Sequence, residues 1–173
     1  TRSGHHATAL ALAIAGSICF DLAGAAAWAI GCILGASAPD YLEIPYGFGR
    51  GRRTLLRHRT ITHQPLLWMT LITLIHFKQP SAQLANTFIL GWAGSSLLHI
   101  LMDLLTPVGT PLGWPWGKRT SIKIFRTGGT EWPVIGLVWL MGLCFFIAKA
   151  SEKNPKIFAI FYHPTLFRSI FSA

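Results

Sequence analysis

The 23 residues QLANTFILGWAGSSLLHILMDLL, 83–105, carry no formal charge before Asp103. As a helix this run is long enough to cross a bilayer, whose hydrocarbon core takes about 20 residues. A chain with such a run must bury it in a large core or in lipid. With 173 residues, and 12% of them charged where soluble domains carry about a quarter, lipid is the better fit. Further apolar runs lie at 7–20, 22–38, 65–77 and 132–149. Only some reach spanning length, so the short ones must tilt, pack centrally or stop short of crossing. The expected fold is all-α, an integral membrane bundle of four to five membrane helices.

The whole chain, 1–173, is expected to be one membrane-embedded domain, with no fixed-period repeat and no low-complexity tract. Gly- and Pro-bearing stretches at 45–51 and 107–117 mark loops. The tail 154–173 mixes aromatic residues with sparse cations around Pro164, which reads as an interfacial segment. No charged, apolar and cleavage regions stand apart as a signal sequence, so targeting is expected through the helices themselves. Cys19, Cys32 and Cys144 each sit in or beside an apolar run without CxxC spacing. They read as packing residues rather than as a disulfide or zinc-ribbon framework.

Charge placement orients the helices. The formal net charge is +9, and Arg50, Arg52, Arg53, Arg57 and Arg59 crowd one inter-helix loop while Lys118, Arg119, Lys123 and Arg126 crowd another. If 7–20 and 22–38 fold as a hairpin turning at Asp21, the N-terminus and both crowded loops share one membrane face. The positive-inside rule makes that face cytoplasmic. A single long, tilted first helix is the alternative. Nucleic acid is not expected as a partner, because the cations sit in short loops between spans and no reader motif accompanies them.

Ionisable residues gather at the ends of these runs. His5 and His6 open the first, Asp40 closes the second, His58 and His63 precede the third, and His99 and Asp103 lie near the end of the fourth. Under the hairpin topology all of them reach the same face. His99 and Asp103 are four apart and so project from one side of a helix, the arrangement that offers two ligands to one metal. A structural His–Asp hydrogen bond fits the pair equally well, although intramembrane carboxylates usually mark function. In HRTITHQP, 58–65, the histidines are five apart, so a helix starts or bends between them. Thr60 and Thr62 are placed to cap that start or to orient the imidazoles. His76 and His163 lack such company and read as interfacial.

GHHATALALA, the PD of GASAPD, HRTITHQ and LLHILMDLLTPVGTPLGWPW resemble, in order, the motifs of the YdjM-type inner-membrane metal-dependent hydrolases, over residues 4 to about 135. That family is distantly similar to zinc-dependent phospholipases C. The resemblance implies a location in the bacterial inner membrane and a metal centre built from His5, Asp40, His58, His63, His99 and Asp103, with His6 a second candidate for the first position. One departure stands out: where the family often reads PDxDH, PDYLE places Leu42 at the second acidic position, with Glu43 after it.

Mixed nitrogen and oxygen ligands without thiolates suit one or two Zn²⁺ ions, with Mn²⁺ or Fe²⁺ as alternatives. Such a centre generates hydroxide from water near neutral pH. Asp40, Asp103 and Arg59 are the expected catalytic residues, Arg59 because it lies between two histidines and suits phosphate. The flanking cations fit a phosphate-bearing, lipid-like substrate at the cytoplasmic leaflet, and they equally fit a role in topology and headgroup contact alone. The loop TPVGTPLGWPWG, 106–117, cannot face hydrocarbon and must cover the site or line a polar cavity, with Trp114 and Trp116 as interfacial anchors. Glu131 reads as a charge favouring a helix N-terminus, or as an acid–base group. A phospholipase-like hydrolase is the leading reading. A LexA-binding type of interaction protein, with a structural metal and a protein partner, is the alternative. A metal or proton transporter fits less well, because no polar series continues to the far face.

Overall fold

Asp21 starts the second helix. In the computed structural model, which describes residues 1–46, 53–54, 59–77, 83–126 and 128–153, α1 (Arg2–Ser17) closes in a turn and the Asp21 carboxylate accepts the Gly24 N–H at 2.8 Å, capping α2 (Leu22–Gly35). The hairpin is present and a single long first helix is not. The second apolar stretch does not run unbroken to 38. Pro39 has no N–H to offer the carbonyl of Gly35, so α2 stops there and a short α3 (Ala38–Tyr41) follows.

The remaining helices are α4 (Pro65–Phe77), α5 (Gln83–Leu104) and α6 (Trp132–Lys153), with a 3₁₀ turn at Ile61–His63. Among the described residues the only extended pairing is a two-residue antiparallel ladder, β1 (Pro45–Tyr46) with β2 (Arg53–Thr54), and a bridge between Thr110 and Thr120. The all-α class holds. α5 and α6, at 22 residues each, have the length and apolarity to cross a membrane, about 33 Å at the helical rise. α2 and α4, at 14 and 13 residues, are apolar but shorter. The tail 154–173 lies outside the described residues, as do Arg50, Arg52, Arg57 and His163.

Small residues let α2 and α5 approach at backbone contact. A Cβ on Gly31 would stand 2.2 Å from the Phe88 carbonyl oxygen, one on Gly35 2.3 Å from that of Trp92, and one on Gly91 2.5 Å from that of Trp28. Such contact is how helices pack in lipid, where burying apolar surface gives little drive. Ser96 Oγ donates to the Trp92 carbonyl at 2.8 Å and reaches that of Gly35 at 3.2 Å, adding a polar tie across the seam. α1 presents Thr8, Ala11 and Ala15 as a buried small-residue stripe, and Trp28 Nε1 donates to the Leu12 carbonyl at 3.2 Å.

Ala38, Trp68, Ala93 and Ile100 form one buried cluster joining α3, α4 and α5. Trp68 meets Trp92 edge to face, with ring centroids 5.0 Å apart. A second cluster, Met102, Phe125 and Ile135, ties the end of α5 to the start of α6. α6 otherwise exposes Leu140, Met141, Leu143 and Phe145, an apolar surface suited to lipid. Cys32 is buried as a packing residue, whereas Cys19, in the turn after α1, and Cys144, on α6, lie exposed, and all three are free thiols.

Gly35→Val is expected to lower the thermal unfolding midpoint in detergent, through overpacking worth about 1–3 kcal/mol. Gly136→Ala, where an added Cβ meets nothing within 4 Å, should leave the midpoint unchanged or raise it. An unaltered Gly35→Val midpoint would contradict the close α2–α5 seam.

Candidate metal centre

The site grows from the last two turns of α5. His99 and Asp103, each 2% exposed, stand one above the other on the buried face, their Nε2 and Oδ2 atoms 3.7 Å apart. His99 Nδ1 is 2.7 Å from the carbonyl oxygen of Ala36, just past the end of α2. That contact requires a proton on Nδ1 and leaves the Nε2 lone pair facing the cluster.

Other helix ends bring their own donors. The 3₁₀ turn at Ile61–His63 places His63 in the interior, with Nε2 3.5 Å from Asp103 Oδ2 and 3.5 Å from Asp40 Oδ1. Asp40, from α3, also lies 4.0 Å from His99 Nε2. The first turn of α1 stacks His5 on His99, ring centroids 3.8 Å apart, with Nε2 3.7 Å from Asp103 Oδ1. Two overlapping donor groups result: His5, His99 and Asp103, and Asp40, His63 and His99.

These spacings suit shared coordination better than hydrogen bonding. Charged N–H···O bonds close to about 2.7–2.9 Å, whereas the donors here stand 3.5–4.0 Å apart. Two ligands of a tetrahedral ion bonded at 2.0–2.1 Å are separated by about 3.4 Å. Asp40, Glu43 and Asp103 set carboxylates beside these imidazoles, a mixed nitrogen and oxygen environment of the kind a divalent ion takes. The donor set therefore fits such an ion.

Arg59 braces the group. Its Nη2 donates to Asp103 Oδ1 at 2.7 Å and its Nη1 to the Gly109 carbonyl at 3.0 Å, while its backbone N–H donates to Glu43 Oε1 at 2.7 Å. Glu43 Oε1 lies 3.3 Å from His63 Nδ1, and Thr62 Oγ1 lies 3.2 Å from the same nitrogen.

The 106–117 loop packs over this segment. Thr110 Oγ1 donates to the His63 carbonyl at 3.0 Å, and Gln64 Nε2 donates to that of Gly113. Gly109 takes φ +66° and lies so close to the Thr120 carbonyl that a Cβ would fall at 2.1 Å, which holds the turn to glycine. Between loop and α4, Gln64, Leu66, Leu67 and Trp114 help line a pocket of about 410 Å³. Trp114 and Trp116 are exposed, as interfacial anchors would be.

The profile of the family described as YdjM inner membrane protein matches residues 1–171. The chain belongs to the YdjM inner membrane protein family. Two relatives named inner membrane protein YdjM, from Escherichia coli (strain K12) and Shigella flexneri, are each 36% identical over 78 residues, covering 41% of this chain. The chain spans 38% of the length of these curated relatives. No solved structure matches it.

Of the YdjM-type ligand set read from the sequence, the structure gathers His5, Asp40, His63, His99 and Asp103. His58 lies outside the described residues. His6 turns away, 3.0 Å from Ser37 Oγ, so His5 takes the position on α1. Thr62 is the threonine beside an imidazole, and Thr60 heads the 3₁₀ turn without a side-chain cap. Glu131 accepts a hydrogen bond from Thr1 Oγ1 and joins the starts of α6 and α1. The residue not singled out from sequence is Glu43, one place beyond the expected second acidic position. Its signal was an acid within four residues of Asp40.

Arg59→Leu leaves the Asp103 carboxylate buried without its guanidinium, a loss of about 3–5 kcal/mol. A clearly lower thermal midpoint of metal-free protein in detergent is expected. A wild-type midpoint would show that Arg59 does not brace the site.

Proposed function

We propose that this chain is a multi-pass membrane hydrolase of the bacterial inner membrane, metal-dependent, acting on an ester or phosphoester of a phosphate-bearing, lipid-like substrate at the cytoplasmic leaflet. The observation that carries the reading is the convergence of Asp40, His63, His99 and Asp103 donor atoms at coordination rather than hydrogen-bond spacing. His5 is a fifth donor at 3.7 Å from Asp103. Zn²⁺ is the first choice for this nitrogen and oxygen set, with Mn²⁺ or Fe²⁺ as alternatives. The two donor groups share His99, whose Nδ1 is held by Ala36, so its single remaining nitrogen serves one ion.

A divalent ion bound there supplies Lewis acidity and lowers the pKa of a coordinated water towards about 7. The chain's own groups divide the remaining work. Asp40, with 32% of its side chain exposed, is the donor best placed to take a proton from the attacking water. Asp103 is fixed by Arg59 and orients the cluster. Lys118, Arg119, Lys123 and Arg126 on the 106–131 segment are the further cations suited to phosphate recognition. By the positive-inside rule the same cations support a cytoplasmic position for that segment.

A second reading has an observation behind it. His63, His99 and Asp103 are almost fully buried, as the ligands of a closed structural site would be, and such a site suits a LexA-binding type of interaction protein. Elemental analysis of detergent-purified protein, wild type and His63→Ala with Asp103→Ala, followed by assays on phosphorylated lipids, separates the two. The hydrolase reading predicts at least one equivalent of zinc or manganese in wild type, its loss in the double variant, and metal-dependent product release. Bound metal without turnover favours the interaction protein. Wild type that neither holds nor takes up metal overturns both.

A further inference from the structure

Glu43 is the buried carboxylate to which the metal reading assigns no task. It is 2% exposed and follows a short helix whose only other acid, Asp40, is a candidate ligand. A carboxylate is costly to bury unless its charge is met. Two groups meet it. Oε1 accepts the Arg59 backbone N–H at 2.7 Å and lies 3.3 Å from His63 Nδ1.

Each contact fixes something the site needs. Arg59 sits at φ +57°, a left-handed conformation unfavourable for a residue with a Cβ, and the accepted N–H holds it there. From that backbone the guanidinium reaches both Asp103 Oδ1 and the Gly109 carbonyl. At His63, a carboxylate facing Nδ1 can only accept, so the ring proton belongs on Nδ1 and the lone pair on Nε2. Nε2 is the atom 3.5 Å from both Asp40 and Asp103. Thr62 Oγ1 touches the same Nδ1 but can donate or accept, and so does not choose the tautomer.

We infer that Glu43 is a positioning residue of the metal centre, presenting His63 Nε2 to the ion while locking the Arg59 backbone that braces Asp103. This rests on the metal reading above. It also assigns a role to the acid that PDYLE carries one place beyond the expected second acidic position.

The test uses the full chain in detergent, as wild type, Glu43→Gln and Thr62→Ala. Zinc affinity is measured by chelator competition, alongside the unfolding midpoint of metal-free protein and the absorption spectrum with Co²⁺. Glu43→Gln can still accept the Arg59 N–H through its amide oxygen, so its metal-free midpoint should stay near wild type. Its zinc affinity should fall about 10- to 100-fold, the usual effect of losing a group that orients a ligating histidine, and its Co²⁺ spectrum should shift. Thr62→Ala should bind zinc as wild type does. Glu43→Gln binding zinc as tightly as wild type overturns the inference alone. So does an affinity loss matched by an equal loss in Thr62→Ala, or one explained by a fallen metal-free midpoint. Wild type that binds no zinc overturns the metal reading and this inference with it.

Discussion

Asp103 is 2% exposed at the end of α5, and an ionised carboxylate is stable there only if positive charge or donors surround it. The neighbourhood follows from that constraint. Arg59 supplies a guanidinium at 2.7 Å, and the imidazoles of His5, His63 and His99 crowd within 3.5–3.7 Å. Asp40 and Glu43 bring two more carboxylates against the same imidazoles, and the spacing of this nitrogen and oxygen set is the case for a divalent cation.

Bringing these groups together is the work of the helix packing. His5 comes from the start of α1, Asp40 from α3, His63 from the turn before α4, and His99 with Asp103 from the end of α5. Their meeting requires α2 and α5 to run to the same end of the bundle in near-backbone contact, which Gly31, Gly35 and Gly91 allow. It also brings the Ala36 carbonyl to His99, so the glycine seam sets one imidazole's tautomer. Packing and site chemistry are therefore one design: a side chain at Gly35 would disturb the seam that leads directly into that carbonyl.

Much of this arrangement was legible in the sequence. The four-residue interval between His99 and Asp103 put both on one helical face, and the position of His5, Asp40 and His63 at the ends of apolar runs pointed to a common face. Asp21 was readable as a turn, and the Pro- and Gly-rich 106–117 loop as a cover for polar groups. Less legible was what depends on three-dimensional contact. Nothing in the local pattern shows that Arg59 adopts a left-handed backbone, that the Ala36 carbonyl orients His99, or that Glu43 faces His63. The break of α2 at Gly35 was written in Pro39, but hydropathy alone carried the helix through it. An apolar run tells composition and not where a helix ends.

X-ray absorption at the zinc K-edge, on purified wild-type protein loaded with one equivalent of zinc, tests the central claim most directly, because it reads the ligand shell itself. The arrangement of His5, Asp40, His63, His99 and Asp103 predicts nitrogen and oxygen neighbours at about 2.0–2.2 Å with imidazole outer-shell scattering and no sulfur shell near 2.3 Å. A sulfur shell, or a spectrum of hydrated zinc without imidazole scattering, would contradict it.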